Sequence, residues 1–549
     1  MTRQDPVFEL SPAGRDRLRA VRSLLQAGEL TRAAGEARAA LDSGLRHPFL
    51  FNALAVELES RQQLVEAEAS LREGLALAPG DVGTLHALGL LLLRRERPEE
   101  ARPLFEQVLA RMPDFAPAQV ALGQALEGAG LLPAAEAAYR RGLTLEPGNL
   151  LAHAGIASVC VRRGERAQAR EHGLATLARE PNYPQAALVV AEAEIGDGQP
   201  AAAESRLRAL LGEPRLSPVE RSLALSVLGD ALDLQRREGE AFAAYRESNE
   251  MRRAHYAPRF ADGGTLDYAR SLRDWFARHG ARDLLTVVPP EVSDSPASGH
   301  AFLIGFPRSG TTLLEQVLAG HPRVKALEER ETLVDAVQAY MQVPGDLARL
   351  GLAEDSDLLG LRTAYWRRVL EAGVVINGAL LVDKHPLNGL KLPLIARLFP
   401  EARVLLAIRD PRDVVWSCYR RRFRMSAPYY ELLTLEGAAA LYDAVMEITL
   451  LLREQLELRM HEIRLERLIA DFDGELRSVC NFLDLEWSAE LRDFSATART
   501  RGVATASGAQ ISRGLNASGV GEWRRYREQL APVRPLLDRW AQRFGYPTD

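Results

Sequence analysis

Three short polar clusters stand where apolar runs end, and each carries groups suited to an anion. In GFPRSGTT, residues 305–312, Gly305 and Gly310 leave four residues between them, and Thr311 and Thr312 follow. This is the frame of a phosphate-binding loop. Successive backbone N–H groups around Ser309–Thr312, with the start of a following helix, form a nest for an anion. The hydroxyls of Ser309, Thr311 and Thr312 add donors, and Arg308 adds a planar fork suited to phosphate. A triphosphate-binding loop places a lysine at the position of Thr311 to reach the outer phosphates. Its replacement implies a ligand with one phosphate at this point.

The second cluster is VDKHP, with Lys384 and His385; the third is IRDPRDVVWSCYRRRF. In the third, Arg409 closes an apolar run, Ser417 lies eight residues on, and Arg420, Arg421 and Arg422 follow one turn later. Arg409 and Ser417 suit a second phosphate, away from the first. Two separated monophosphate sites fit a nucleotide phosphorylated at both its 3′ and 5′ positions. No acidic pair has the spacing a nucleotide hydrolase uses for Mg²⁺, so no metal is expected.

These clusters need elements to hold them. AFLIGF predicts a strand and 311–320 a helix; ALLVDK (379–384) predicts a strand and KLPLIARLF a helix. ARVLLAIRD (402–410) predicts another strand, with a helix from about Pro411. Such alternation specifies a parallel α/β sheet, whose ligands bind beyond the carboxyl ends of the strands.

The first half has a different grammar. From residues 48, 82, 116, 150 and 184, small residues recur every 34 positions: Ala55, Gly89, Gly123, Ala157 and Ala191, then Ala67, Ala101, Ala135, Ala169 and Ala203. Pro79, Pro113, Pro147 and Pro181 close the first four units. Small residues let two antiparallel helices approach, and proline ends the second. The pattern resembles the tetratricopeptide repeat, and weaker units on both sides make about seven. Such repeats imply a protein partner or self-association, and a homodimer is one form of it.

The 549 residues are too many for one core. A net charge of −5 excludes a globally basic nucleic-acid binder. Cys160, Cys418 and Cys480 are too scattered for a metal site or a disulfide framework. The first twenty residues lack the apolar core of a signal peptide, and no apolar run reaches bilayer length. The expectation is a cytoplasmic protein without a membrane segment. The expected division is a repeat solenoid over 1–255, a connector helix and linker over 256–298, and a second domain over 299–549.

FPRSGTTLLEQVLAGHP together with LLAIRDPRDVVWS resembles the 5′-phosphosulfate loop and 3′-phosphate motif of sulfotransferases that use 3′-phosphoadenosine 5′-phosphosulfate (PAPS). With the repeats, the chain resembles a tetratricopeptide-repeat sulfotransferase, its catalytic half most like the protein-tyrosine sulfotransferases. The resemblance implies an all-α tetratricopeptide solenoid followed by an α/β P-loop-like domain with a central parallel sheet. It implies transfer of a sulfuryl group from PAPS to a hydroxyl, with a peptide or protein tyrosine favoured and engaged by the repeats. Glu329 matches the glutamate base, with Glu328 the alternative, since Arg330 and Glu331 depart from the family's Thr and Arg. Lys384 and Arg308 match the groups that stabilise charge on the leaving phosphate. Arg308, Ser309, Gly310, Thr311, Thr312, Arg409, Ser417, Arg421 and Arg513 match the PAPS contacts, with Ser507 a weaker candidate. His385 and His321 are further candidates for the base, His321 fitting a turn better. Leu465 stands where the family often has tyrosine, and Glu466 reads as structural. Carbohydrate or other small-molecule sulfation, a kinase-like enzyme and a non-catalytic scaffold are the alternatives.

Overall fold

The computed structural model describes residues 11–261, 264–281, 295–456, 458–494 and 519–547. Packing divides the chain into two compact units, Met1–Ala193 and Glu194–Asp549.

The first unit is built of helix pairs. Pro48–Ser60 is followed by Leu64–Leu77, Val82–Arg94 by Pro98–Arg111, Ala116–Gly128 by Leu132–Leu145, and Leu150–Arg163 by Arg166–Leu177. Pro12–Gln26 and Leu30–Asp42 form a pair before them. Each repeat start read from the sequence is the first residue of a helix. The small residues have a steric cause. A Cβ on Gly123 would stand 2.6 Å from the ring of Tyr139, and one on Gly89 would stand 2.6 Å from that of Phe105. In these two pairs the second helix drives an aromatic ring onto the bare backbone of the first.

In the second unit, a five-stranded parallel sheet has the order β2-β3-β1-β4-β5, with β1 Gly299–Ile304, β2 Val324–Glu328, β3 Leu380–Lys384, β4 Arg403–Ile408 and β5 Arg459–Arg464. Both faces are covered, as such sheets require. Ala301, Leu303, Val382 and Leu405 point into one core with Leu314, Val317 and Leu318, while Phe302, Ile304, Leu381 and Leu406 are buried too. Strands β2 and β5 carry no clear signal in the sequence. VKALE is short and carries an exposed lysine, and RMHEIR is polar, so neither shows a strand's hydrophobic signature. The helix expected from Lys391 is preceded by a 3₁₀ turn, Pro386–Lys391, and runs over Leu392–Leu398.

Helices Pro218–Leu234 and Glu238–Phe260, which carry the last repeat pattern, pack within this second unit. Phe242 stacks on Trp416 and Tyr419. Asn249 Nδ2 donates to the carbonyl of Tyr419 at 2.8 Å, and Arg252 to that of Phe423 at 2.9 Å. Asp233 is buried and accepts from Arg420, Arg525 and the Tyr526 hydroxyl. The last repeat helices therefore buttress helix Pro411–Tyr419 and the basic segment after it. Among the described residues no helix is long and apolar enough to cross a membrane.

Candidate active site

The sheet order puts β1 at the point where connections run to opposite sides, and the first loop leaves its carboxyl end there. Gly305 is forced by proximity: a Cβ would lie 2.6 Å from the Ala407 carbonyl of the neighbouring strand. Gly310 has φ 98°, a left-handed value, and leads into helix Thr311–Ala319. Arg308 also takes a left-handed φ, 72°, which is strained for a residue with a side chain. Leu465 packs beside Gly310.

Arg308 Nε donates to Ser417 Oγ at 3.0 Å, joining the first and third clusters across more than one hundred residues. Arg409 donates to the Arg308 carbonyl at 3.1 Å and to that of Gly519. Ser309, Thr311, Thr312, Arg409 and Ser417 are all buried. Burial pushes the Arg308 guanidinium down to about 9, and the charges of Arg421 and Arg409 push the same way. Burial and Arg420 likewise lower Arg421. The buried Nε atoms of Arg409 and Arg421 have no hydrogen-bond partner among the described residues. Those two buried donors suit an anion such as phosphate. Arg412 is different. It is held by both oxygens of Asp410, by Asp538 and by the Trp523 ring, so it is a structural cation.

The second cluster lies at the end of β3, where Glu328 of β2 pairs in register with Lys384. Glu329 follows with φ 37°, its N–H bonded to the Lys384 carbonyl at 2.8 Å. This turn aims Glu329 Oε1 at Lys384 Nζ, 2.8 Å away. Glu329 thus sits at a strand end, one residue beyond β2. Thr332 donates to Asp383 at 2.8 Å and ties the glutamate segment to β3. Burial alone would lower Lys384, but Glu315, Glu329 and Glu328 reverse it and hold the lysine above its usual value. Glu315 carries no signal in the sequence. It is buried in the loop helix, and only the sheet brings it 3.6 Å from Lys384.

His385 Nε2 lies 3.2 Å from Glu331, which also pairs with Lys391 at 2.5 Å. The His385 interaction, followed by the Lys391 charge, outweighs burial and holds Glu331 below the usual carboxylate range. His321 accepts from the Arg323 N–H, and its other nitrogen lies 2.9 Å from the Glu486 carbonyl, the turn role expected of it. Glu466 accepts from the Asp410 N–H and the Tyr546 hydroxyl, a structural use. Tyr429 stacks on Phe423, and burial raises its hydroxyl, with Glu329 and Cys418 adding to the effect. Arg513 and Ser507 lie outside the described residues.

Residues 301–489 match the model of the sulfotransferase family, and residues 86–150 match that of the tetratricopeptide repeat. Among curated proteins, the chain is 26% identical to an uncharacterized protein of Aquifex aeolicus over 62% of this chain and 44% of that one. It is 26% identical to protein-tyrosine sulfotransferase A of Caenorhabditis elegans over 37% of this chain and 54% of that one. The chain thus spans about half the length of these relatives. A tetratricopeptide repeat protein from Parabacteroides merdae overlaps 43% of this chain and 92% of its own at 16% identity, with a TM-score of 0.37.

Proposed function

We propose that this chain, which joins tetratricopeptide repeats to a domain of the sulfotransferase family, transfers a sulfuryl group from PAPS to a hydroxyl, with tyrosine of a peptide or protein the favoured acceptor. The observation that carries the reading is the 2.8 Å contact between Glu329 and Lys384, at the same ends of the strands as the hydrogen-bonded Arg308–Ser417–Arg409 group. The family implies a sulfuryl donor. The cation cluster and the loop's close backbone suit one with separate 3′- and 5′-phosphates.

PAPS, when bound, supplies an activated sulfuryl group. Ser309, Gly310, Thr311 and Thr312 hold its 5′ side, and Arg409, Ser417, Arg421 and Arg513 its 3′-phosphate. Glu329 takes the acceptor's proton as the new S–O bond forms. The S–O bond to the 5′-phosphate breaks, and Lys384 and Arg308 balance the charge that collects on the leaving oxygen. Positioning and charge stabilisation are the protein's contribution, as in phosphoryl transfer. The likeness to protein-tyrosine sulfotransferase A favours tyrosine over a carbohydrate hydroxyl, and the repeats over 1–255 are a suitable surface for presenting an acceptor chain.

Calorimetric titration with adenosine 3′,5′-bisphosphate tests the donor, with ATP–Mg²⁺ as control and Arg409→Ala alongside. Binding of the bisphosphate alone, weakened in the variant, supports the reading and opens a search for acceptors with labelled PAPS. Absence of bisphosphate binding sinks it.

A further inference from the structure

Lys384 is fully buried, yet it has more than one carboxylate at hand. Glu315 lies 3.6 Å from its ammonium and Glu329 lies 2.8 Å away. The two acids differ in mounting. The Glu315 side chain is 0% exposed and rises from helix Thr311–Ala319, with Gln316 Nε2 3.4 Å from its Oε1. That of Glu329 is 28% exposed and sits on a turn.

A buried ammonium is costly unless compensated. If Glu329 were the only counter-ion, each proton it took would strand Lys384 as an uncompensated cation. A second, fixed carboxylate removes that problem.

We propose that Glu315 is a positioning residue, the standing counter-ion of Lys384, which keeps the lysine charged and aimed while Glu329 gains and loses a proton. This rests on the roles assigned above to Lys384 and Glu329. The charged groups around the pair are consistent with it. Glu315 faces Lys384 from the loop helix, and Glu328 and Glu329 face it from the end of β2. Tyr429, from helix Ala427–Glu431, faces Glu329, and Glu331 holds His385 and Lys391.

The test needs no acceptor. Adenosine 3′,5′-bisphosphate affinity is measured by calorimetry from pH 7 to 10 for the full chain and for Glu315→Gln, Glu315→Asp, Glu329→Gln and Lys384→Ala. Lys384→Ala is expected to bind about tenfold more weakly at pH 7, with no further loss from the lysine as pH rises. With Lys384 held above its usual value, the wild type keeps the lysine's contribution across this window, whereas Glu315→Gln is expected to lose about tenfold in affinity within it, the lysine's discharge moving about one to three pH units lower once an opposite charge is removed. Glu315→Asp keeps the charge and restores the wild-type position, and Glu329→Gln moves it by less than Glu315→Gln. Near-normal affinity of Glu315→Gln at pH 7 shows that it folds.

An unshifted profile in Glu315→Gln, or a larger shift in Glu329→Gln, overturns the inference while leaving the sulfotransferase reading intact. Loss of binding in both Glu315→Gln and Glu315→Asp assigns Glu315 to packing and also overturns it. No bisphosphate binding by the wild type, or no effect of Lys384→Ala, fails at the earlier reading instead.

Discussion

The repeats and the sheet unit use charge in opposite ways. In the first unit, a carboxylate such as Glu68 is itself buried, but its partners Arg72, Arg95 and Arg97 reach solvent. Glu136 pairs with Arg140 and Arg163 in the same manner on the next pair but one. These contacts lace neighbouring helices together, and the packing itself rests on small residues, aliphatic side chains and, in two pairs, an aromatic ring set against a glycine. In the sheet unit both members of several pairs are inside: Lys384 with Glu315, and Arg412 with Asp410. A fully buried ion pair is a poor source of stability, since desolvation offsets the attraction. The Arg412–Asp410 pair anchors the start of helix Pro411–Tyr419, whereas Lys384 and Glu315 meet beside the polar strand ends. The helices Pro218–Leu234 and Glu238–Phe260 combine the two habits, a repeat pattern with a buried carboxylate, Asp233, aimed at the basic segment.

The contrast can be broken in descending order of effect. Lys384→Ala is expected to lower transfer from labelled PAPS by about 100- to 1,000-fold. Arg95→Ala in the repeats should leave that rate unchanged, and equal losses would erase the distinction.

Asp413 offers a pH test. Burial raises it to about 6, although Arg409 and the N–H groups of Trp523 and Gly521 oppose the shift. A raised carboxyl binds its proton more tightly in the folded state. Its contribution is therefore complete below the unfolded value of 3.8 and is lost as pH rises through about 6. Chemical denaturation between pH 4 and 7 should show wild type gaining on Asp413→Asn by ~1–3 kcal/mol as pH falls. A constant difference between them would refute the assignment.

Gly123→Ala should cost ~1–3 kcal/mol, because overpacking against Tyr139 exceeds the helix-propensity gain. Bisphosphate affinity should not change, and a calorimetric melt alongside titration reads both. Asp233→Asn should do the reverse, reducing bisphosphate affinity by about tenfold, roughly one charge-assisted hydrogen bond. An unaltered affinity would make the last repeat helices mere packing. The smallest effect belongs to Arg140→Ala, which removes a half-exposed partner of Glu136 and should shift stability by less than ~1 kcal/mol.

Periodicity and local chemistry are legible along the chain itself. The 34-residue spacing places helix starts at Pro48, Val82, Ala116, Leu150 and Pro184, because close helix contact needs small residues at fixed intervals. The loop at 305–312 and the strands ending near Lys384 and Arg409 are legible too, since apolar runs and glycines announce them locally. Strands β2 and β5 are not, as their edge positions admit polar residues. Nothing local distinguishes Arg412, tied to Asp410, from Arg409 and Arg421, whose Nε atoms find no hydrogen-bond partner among the described residues.

The sequence alone therefore determined the kinds of groups present, the repeat, and the strand ends on which the polar clusters sit. Only the tertiary structure decided which of them meet. Arg308 reaches Ser417, Glu329 and Glu315 both reach Lys384, and Asp233 reaches Arg420. Those contacts join residues up to 187 positions apart. Their geometry follows from strand order and from turns such as Glu329, which pattern and spacing along the chain do not encode.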